Sequence, residues 1–260
     1  MAAPKKSLGQ HWLKDRAVLT DIADFAGVNG NDTVLEIGPG QGYLTSVLLN
    51  HVKKVVAVEI DADLAKKLPG QFPGKDLTVV NGDFIGFNLN NLPVGYKVVA
   101  NIPYYVTARV VRTLLTAANK PASVTLLVQK EVAQRLAAEP GDMSILSVSA
   151  QFYSTVTLGP VVPAKFFTPP PKVDSQVVRL DLLQVNDLQV INEKAFFKLV
   201  RIGFSNKRKK LASNLAASYQ IDKQQVERIF EKLNFDAETR AQDLSLQQWA
   251  QLLSVDTWQI

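Results

Sequence analysis

The stretch TVLEIGPGQGYL, residues 33–44, joins a short apolar run to a helical pattern through a turn with three glycines. TVLEI is apolar at almost every position, which is typical of a strand buried on both faces in a parallel sheet. Gly38, Gly40 and Gly42 allow a tight turn and let a ligand approach the backbone closely. A strand, a glycine turn and a helix in this order are typical of the first unit of a doubly wound fold.

The same alternation continues along the first half of the chain. Four further apolar runs (KVVAVEI, LTVV, YKVVAN and SVTLLVQ) follow up to Gln129, and residues 42–50 and 107–118 have helical spacing. Strands that alternate with helices predict a doubly wound α/β domain around a parallel sheet. A further apolar helix is predicted at about residues 143–153. QVVRLDLL, residues 176–183, predicts a strand that pairs antiparallel at or near the sheet edge.

The pattern becomes entirely helical from about Glu193. EKAFFKLVRIGF, KRKKLASNLAAS, KQQVERIFEKL and SLQQWAQLL have helical spacing with polar breaks between them. In the last segment, Ser245 and Gln248 have the spacing of a capping box. We therefore expect an α/β domain over residues 1–184, a linker near residues 184–192, and a small all-helical domain over residues 185–260.

Composition and charge narrow the class of protein. The 260 residues are 47% hydrophobic. The formal net charge is +5 and the pI is near 9.3. This positive charge favours a polyanionic partner, although many basic proteins bind no nucleic acid. The sequence has no cysteine, and its two histidines, His11 and His51, lack the paired spacing of metal ligands, so we expect no metal site. No apolar run approaches the length of a membrane span, and no apolar segment follows the basic N-terminus. We expect a cytoplasmic protein.

Carboxylates stand near the ends of three successive predicted strands. Glu36 lies just before the glycine turn, Glu59 ends VVAVE, and Asp83 follows the next strand in NGDF. Glu59 could accept both hydroxyls of a ribose, Asp83 suits an adenine amino group, and Glu36 suits an ammonium group but would repel a pyrophosphate. Each acid alone could instead cap a helix. Together with the glycine turn they fit S-adenosylmethionine, which contains adenine, ribose and an amino acid but no phosphate.

A nicotinamide dinucleotide is the competing ligand for such a turn. Its fingerprint is G-x-G-x-x-G, in which the third glycine permits close packing of the helix on the strand. Tyr43 occupies that third position here. Tyr43 and the Glu36 carboxylate therefore disfavour an oxidoreductase.

The fourth predicted strand ends in VVANIPYYV, residues 98–106. The exocyclic amine of a base is a poor nucleophile because its lone pair is delocalised into the ring, so acceptors that turn its N–H groups out of the ring plane would help. The Asn101 side-chain oxygen and the Ile102 carbonyl could accept these bonds, and Pro103 restricts the residue before it. Tyr104 offers a flat face to an extruded base. The structural alternative is a strand stopped by proline, with tyrosines that only pack.

These motifs together resemble the rRNA adenine N6-dimethyltransferase family, in particular its KsgA-like members. The resemblance covers nearly the whole chain: KKSLGQHWLKD is similar to the N-terminal cofactor motif, LEIGPGQGYLT to the glycine loop, NIPYY to the catalytic motif and FFTPPPKVDSQVVRL to the F-x-P-x-P-x-V-x-S signature. It implies a Rossmann-like, S-adenosylmethionine-dependent methyltransferase sheet with a small C-terminal helical domain. The implied reaction is dimethylation of the N6 amines of two adjacent adenines in a hairpin loop near the 3′ end of small-subunit (16S) rRNA, linked to small-subunit biogenesis.

The resemblance also implies roles for individual residues. Cofactor contacts would come from His11, Leu13, Gly38, Glu59, Asp83 and Asn101. Target-base contacts would come from Asn101, Ile102, Tyr104 and Phe167, with Phe167 and Tyr104 on either side of the adenine. Tyr105 stands where the family often has a small polar residue or histidine, so its ring is expected to hinder the second methylation. His11 and Phe167 could each instead be packed residues without a ligand.

A basic cluster follows Phe204 at the predicted start of a helix. It consists of Lys207, Arg208, Lys209 and Lys210, with Arg201 and Lys198 one helix earlier. We expect these cations to position rRNA phosphates, although a solvated helix face would look the same in sequence. The expected partners are small-subunit rRNA and the assembling small subunit. We expect a monomer that binds neither membrane nor metal.

Two kinds of relative and one other function compete with this interpretation. The macrolide-resistance methyltransferases of large-subunit rRNA share the N-terminal half, but RIGFSNKRKKLASNL and RAQDLSLQQWAQL resemble the small-subunit enzymes. Mitochondrial transcription-factor relatives are also similar, but nothing in the sequence resembles a transit peptide. A docking factor for ribosome assembly could retain the same pocket as a checkpoint. The intact Asn101 and Tyr104 favour the enzyme over such a factor.

Overall fold

The computed structural model describes Lys5, residues 8–183, Leu188, Val190 and residues 192–258. The chain divides into two compact units. The first runs to Gln134 and also contains Ser154–Leu182; the second contains Arg135–Tyr153 and the chain from Leu183 onward. The sequence prediction kept residues 135–153 in the α/β domain, whereas the structure places them in the helical unit. The predicted linker at residues 184–192 lies largely outside the described residues.

A seven-stranded sheet forms the centre of the first unit. Its strands are β2 (Thr33–Ile37), β3 (Lys54–Glu59), β4 (Leu77–Asn81), β5 (Lys97–Asn101), β6 (Ser123–Gln129), β7 (Ser154–Val162) and β9 (Ser175–Leu182). Two short strands, β1 (Trp12–Leu13) and β8 (Phe167–Thr168), form a separate antiparallel pair. The order in the large sheet is β4-β3-β2-β5-β6-β9-β7, with β2 to β6 parallel. The predicted α/β fold with a parallel sheet is confirmed.

Within the seven-stranded sheet, the edge strand β7 is the strand that the sequence did not predict. β9 is antiparallel to both β6 and β7, so the predicted strand at residues 176–183 is next to the edge and β7 is the edge itself. Gly159 and Pro160 lie within β7 and suggest a turn in sequence. An edge strand tolerates proline because one side of its backbone needs no partner, and the register with β9 is irregular between Leu158 and Val161.

Helices cover the sheet of the first unit. They are α1 (Arg16–Phe25), α2 (Tyr43–His51), α3 (Ala62–Lys67) and α4 (Thr107–Leu115). A further helix, α5 (Lys130–Leu136), begins in this unit and ends in the second. Leu19, Ile22 and Leu48 on α1 and α2 are buried in one core cluster with sheet residues such as Val34 and Val55. This packing buries an apolar stripe of each helix against a strand surface that is apolar throughout.

The second unit is helical, as predicted. Its helices are α6 (Ile145–Tyr153), α7 (Glu193–Gly203), α8 (Leu211–Tyr219), α9 (Lys223–Lys232) and α10 (Leu246–Leu253). Phe152 on α6 lies 4.7 Å from Phe196 between ring centroids, which explains why residues 135–153 join this unit. The Ser245 and Gln248 capping box at the start of α10 is present. No helix in the described part of the chain is both long and apolar enough to cross a membrane.

Candidate active site

A cleft with about 1140 Å³ of empty space, part of it open solvent, lies at the carboxyl ends of β2 to β5. In an open parallel sheet, ligands bind at the carboxyl ends of the strands, since the loops that follow the strands meet there. Every residue that the sequence assigned to a cofactor or a target base lines this cleft: His11, Leu13, Gly38, Glu59, Asp83, Asn101, Ile102, Tyr104 and Phe167. The structure therefore brings six separate sequence motifs to one place.

Pairing of β1 with β8 brings the N-terminal motif to the proline-rich signature. Trp12 pairs with Thr168 and Leu13 with Phe167. Beside this pair, His11 Nδ1 donates a hydrogen bond to the Pro169 carbonyl at 2.7 Å. Because a carbonyl can only accept, Nδ1 is the protonated nitrogen, and Nε2 of the neutral ring is an acceptor.

The glycine turn forms the floor of the cleft. Gly38, Gly40 and Gly42 all have positive φ angles, between 59° and 83°. A Cβ atom on Gly42 would lie 2.6 Å from Leu68 Cδ1, so Leu68 would have to shift, and the φ of 83° itself favours glycine here. A Cβ atom on Gly38 would meet no atom within 4 Å, so the backbone there borders open space that a ligand could occupy.

Main-chain amides from both sides hold Glu59 in place. The side chain is at the end of β3 and only 3% of the residue is exposed. Oε2 accepts from the Gly40 N–H at 2.9 Å, and Oε1 accepts from the Asp61 N–H at 2.8 Å. Burial raises the pKa of Glu59, and these two hydrogen bonds act in the opposite direction. Each carboxylate oxygen can accept a further hydrogen bond, so Glu59 is a fixed double acceptor.

Glu36 is buried more deeply, with 1% of the residue exposed. Burial raises its pKa to about 8; the hydrogen bond from Thr45 Oγ1, at 2.6 Å, opposes this shift, and the negative charge of Glu59 adds to it. Without a ligand this group is therefore mostly a neutral acid at pH 7. The sequence suggested an ionised carboxylate at Glu36, but in the folded protein this group is mostly ionised at pH 7 only with a positive charge beside it.

Asp83 both caps a turn and borders the cleft. Its Oδ1 accepts from the Ile85 N–H at 3.0 Å and so caps the 3-10 turn Phe84–Gly86. The capping role was the structural alternative for this residue. It is compatible with a ligand contact, because the side chain is exposed and its second oxygen, Oδ2, can also accept.

Asn101 ends β5 beside the N-terminal segment. Its Nδ2 donates a long hydrogen bond, 3.5 Å, to the His11 carbonyl. That contact orients the side chain so that Oδ1 is its available acceptor. Ile102 is buried, and Tyr104 begins a 3-10 turn that ends at Val106.

Tyr104 is held at its hydroxyl and faces another ring. Its hydroxyl is hydrogen-bonded to Ser175 Oγ at 2.7 Å, and its ring is nearly parallel to that of His11, with 18° between the planes and 6.1 Å between centroids. Burial raises the pKa of Tyr104; the Ser175 bond opposes this and the charge of Asp174 adds to it. Ser175 belongs to the quoted F-x-P-x-P-x-V-x-S signature, but sequence analysis assigned it no role.

Phe167 is mainly a core residue. It is 3% exposed and belongs to the same buried cluster as Leu13, Val162 and Val177, although it borders the cleft. The ring that lies nearly parallel to Tyr104 is His11. A sandwich of the base between Phe167 and Tyr104 stays a prediction.

The sequence profile of the family described as "Ribosomal RNA adenine dimethylase" matches residues 1–255. The chain belongs to this family. Among curated relatives, "Ribosomal RNA small subunit methyltransferase A" from Nostoc sp. is 41% identical over 270 residues and the alignment covers 98% of each chain. The protein of that name from Dehalococcoides mccartyi is 39% identical over 252 residues, covering 95% of this chain and 87% of the relative.

Two solved structures are also similar to this chain. A dimethyladenosine transferase from Plasmodium falciparum is 28% identical with a TM-score of 0.79, covering 93% of this chain and 96% of the other. The 23S rRNA methyltransferase ErmE is 27% identical with a TM-score of 0.77, covering 93% and 98%. These likenesses confirm the resemblance and the methyltransferase fold inferred from the motifs.

Two contacts in or beside the adenine dimethylase cleft could not be anticipated from the sequence. Lys5 Nζ lies 2.8 Å from Asp61 Oδ2, which ties the N-terminal segment to the loop after Glu59. Tyr105 is 70% exposed. A Cβ atom on Gly9 would lie 3.3 Å from Tyr105 Cε1, so the Tyr105 ring rests on Gly9 at the mouth of the cleft.

Among the described residues, no group of three or more His, Cys, Asp or Glu could hold a metal ion.

The basic cluster lies in the helical unit, in the turn between α7 and α8. Arg201, Lys207, Arg208 and Lys209 are exposed. Lys210 is half-buried and forms an ion pair with Glu238, and Lys198 Nζ lies 5.7 Å from the centroid of the Tyr219 ring. The turn is held by Asn214, whose Nδ2 donates to the Gly203 and Asn206 carbonyls. The exposed cations are therefore presented on an ordered turn.

Proposed function

We propose that the protein is an S-adenosylmethionine-dependent enzyme that dimethylates the N6 amines of two adjacent adenines. Its substrate is a hairpin loop near the 3′ end of small-subunit (16S) rRNA, and the reaction is part of small-subunit biogenesis. The observation that carries this proposal is the position of the Asn101–Tyr104 turn in the same cleft as the fixed acceptor Glu59. Membership of the adenine dimethylase family supports the reaction, and relatives named for the small subunit support the substrate.

The donor set of the cleft fits S-adenosylmethionine, which when bound supplies an electrophilic methyl group. Glu59, held by two amides, would accept from the ribose hydroxyls, and Asp83 would accept from the adenine amine. Glu36 would face the ammonium group and become ionised beside it, since a neighbouring cation lowers the pKa of a buried acid. The open space at Gly38 leaves room for the ligand against the backbone. His11 and Leu13 complete the assigned cofactor contacts.

The Asn101 turn would orient the target amine. Asn101 Oδ1 and the Ile102 carbonyl would accept the N6 hydrogen bonds and draw the nitrogen lone pair out of conjugation with the ring. The burial of Ile102 and Phe167 excludes water on that side of the cleft, which strengthens these polar contacts. Tyr104 would supply a stacking face. No side chain has to remove the proton before the methyl group is transferred.

The helical unit would hold the substrate. Arg201, Lys207, Arg208 and Lys209, with a smaller contribution from the paired Lys210, would contact rRNA phosphates and set the position of the loop. The proposed partners are small-subunit rRNA and the assembling small subunit. We propose that the enzyme acts as a monomer in the cytoplasm.

The experiment is methylation of small subunits purified from cells that lack this protein. Wild-type protein and S-adenosylmethionine should produce N6,N6-dimethyladenosine in the small-subunit rRNA, measured by nucleoside mass spectrometry. Asn101→Ala should lose most turnover while rRNA binding persists, since the phosphate contacts are untouched. Absence of the product with wild-type protein would refute the proposal.

A further inference from the structure

Helix α4 begins beside the cleft and has two very different faces. Its buried apolar residues are Val110, Val111, Leu114 and Leu115. Arg109 and Arg112 are exposed. Because these arginines are three residues apart, they lie on the same face of the helix, about 4.5 Å apart along its axis.

This exposed face continues from the mouth of the cleft. Tyr105 and Val106 line the cleft, and the 3-10 turn to which they belong runs directly into α4. Tyr105 is exposed and precedes Arg109 by four residues, a spacing that makes two side chains neighbours on a helix. The two arginines therefore extend a row that starts at the cleft and runs along the surface of the first unit.

The charge around α4 has one sign. Residues 84–130 contain no aspartate or glutamate, and their five cations are Lys97, Arg109, Arg112, Lys120 and Lys130. Lys97 is paired with Asp32, whereas none of the ion pairs among the described residues includes either arginine. A helix face that is only solvated usually has charges of both signs. The exposed face of α4 is purely cationic, so the partner that fits it is a polyanion.

We propose that the exposed face of α4 binds the phosphate backbone of the substrate RNA next to the cleft, through Arg109 and Arg112. This inference rests on the proposed function and adds a contact surface in the first unit, whereas the sequence assigned phosphate contacts only to the helical unit. A base in the cleft stays bonded to its own strand, so the adjoining nucleotides must cross the surface that borders the cleft. Arginine suits this contact, because its planar guanidinium can donate two parallel hydrogen bonds to one phosphate.

Three double variants test the role of these charges. Arg109→Ala with Arg112→Ala removes two charges and retains the helix, since alanine has the highest helix propensity. Arg109→Lys with Arg112→Lys retains both charges. The matched control is Lys66→Ala with Lys67→Ala, which removes two exposed charges at the end of α3, outside the residues that line the cleft.

Binding of each variant to small subunits purified from cells that lack this protein should be measured by co-sedimentation at several salt concentrations. Calorimetry with S-adenosylhomocysteine shows whether the cleft is intact. We expect the alanine variant to bind more weakly and to lower the slope of log K against log salt by about 1.5, since each lost phosphate contact lowers it by about 0.7–0.9. The lysine variant and the control should keep the wild-type slope, and all three should keep the wild-type affinity for S-adenosylhomocysteine.

The inference is overturned if the alanine variant keeps the wild-type slope, or if the lysine variant or the control lowers the slope equally. Loss of affinity for S-adenosylhomocysteine in the alanine variant would also overturn it, because the arginines would then support the cleft itself. A wild-type protein that forms no dimethyladenosine in these subunits would refute the proposed function and this inference with it. Normal product formation with an unchanged slope for the alanine variant would refute the inference alone.

Discussion

The hydroxyl of Tyr104 is hydrogen-bonded to Ser175 Oγ at 2.7 Å, and Ser175 is fully buried at the start of β9. This bond connects the turn after β5 to the proline-rich signature, which lies far along the chain. The ring that would stack on the base is therefore positioned before any substrate binds. Its hydroxyl contributes by holding the ring, and the ring face makes the contact.

Substitutions at Tyr104 should separate these two contributions. Tyr104→Ala removes the stacking face, so we expect kcat/KM to fall by an amount equivalent to about 1–3 kcal/mol. Tyr104→Phe and Ser175→Ala each remove only the hydrogen bond, so both should retain more activity than Tyr104→Ala. Single-turnover assays on small-subunit rRNA measure all three. A Tyr104→Phe enzyme as inactive as Tyr104→Ala would contradict the stacking account.

Removal of the fixed acceptor at Glu59 should weaken cofactor binding. We expect Glu59→Ala to lose about 2 kcal/mol or more of binding free energy for S-adenosylmethionine if both ribose hydroxyls bond to this carboxylate. The fold should survive, which thermal unfolding can establish. Calorimetry is the measurement, and an unchanged dissociation constant would remove Glu59 from the site.

Glu36 should make stability depend on pH. Its pKa is raised from 4.5 to about 8 in the folded protein, so the folded state binds more protons than the unfolded state between these values. The contribution of Glu36 to the free energy of unfolding is therefore fully present below pH 4.5 and is lost as the pH rises to about 8. The loss is at most about 1.4 kcal/mol per pH unit. Denaturant unfolding across this range should show a smaller decline in the free energy of unfolding for Glu36→Gln than for the wild type. Identical pH profiles would show that Glu36 ionises normally.

The exposed cations of the helical unit should determine the salt dependence of RNA binding. Neutralising Lys207, Arg208 and Lys209 together should weaken binding and lower the slope of log K against log salt, because fewer counterions are released. Neutralising Lys210 alone should have a smaller effect, since it is paired with Glu238. Filter binding at several salt concentrations measures the slope, and cofactor affinity is the control. An unchanged slope would mark the cluster as a solvated surface.

Tyr105 should influence the second methylation. The monomethylated amine must rotate to present its remaining hydrogen, and the exposed Tyr105 ring, which lines the cleft, would restrict that rotation. We expect Tyr105→Asn to raise the ratio of dimethyladenosine to monomethyladenosine or leave it equal. Nucleoside mass spectrometry at low turnover measures the ratio. A lower ratio would mean that the ring supports the second step.

Much of the fold could be predicted from the sequence because its signals are local. Strands buried on both faces have nearly continuous apolar runs, and β2 to β6 were each visible in this way. The edge strand β7 was not, since Gly159 and Pro160 suggest a turn unless the free edge is known. The helical pattern at about residues 143–153 does not show which domain the helix packs in, and the Phe152–Phe196 contact decides this.

The sequence by itself determined which chemical groups this protein has: the glycine turn, the acids at the strand ends, and an asparagine and a tyrosine after β5. Only the tertiary structure decided how they are used. Pairing of Leu13 with Phe167 places His11 opposite Tyr104, a contact between residues that lie far apart in the chain. Burial converts Glu36 from an ordinary carboxylate into an acid with a pKa of about 8. Ring geometry and desolvation depend on neighbours that arrive only when the chain folds, so no local pattern can encode them.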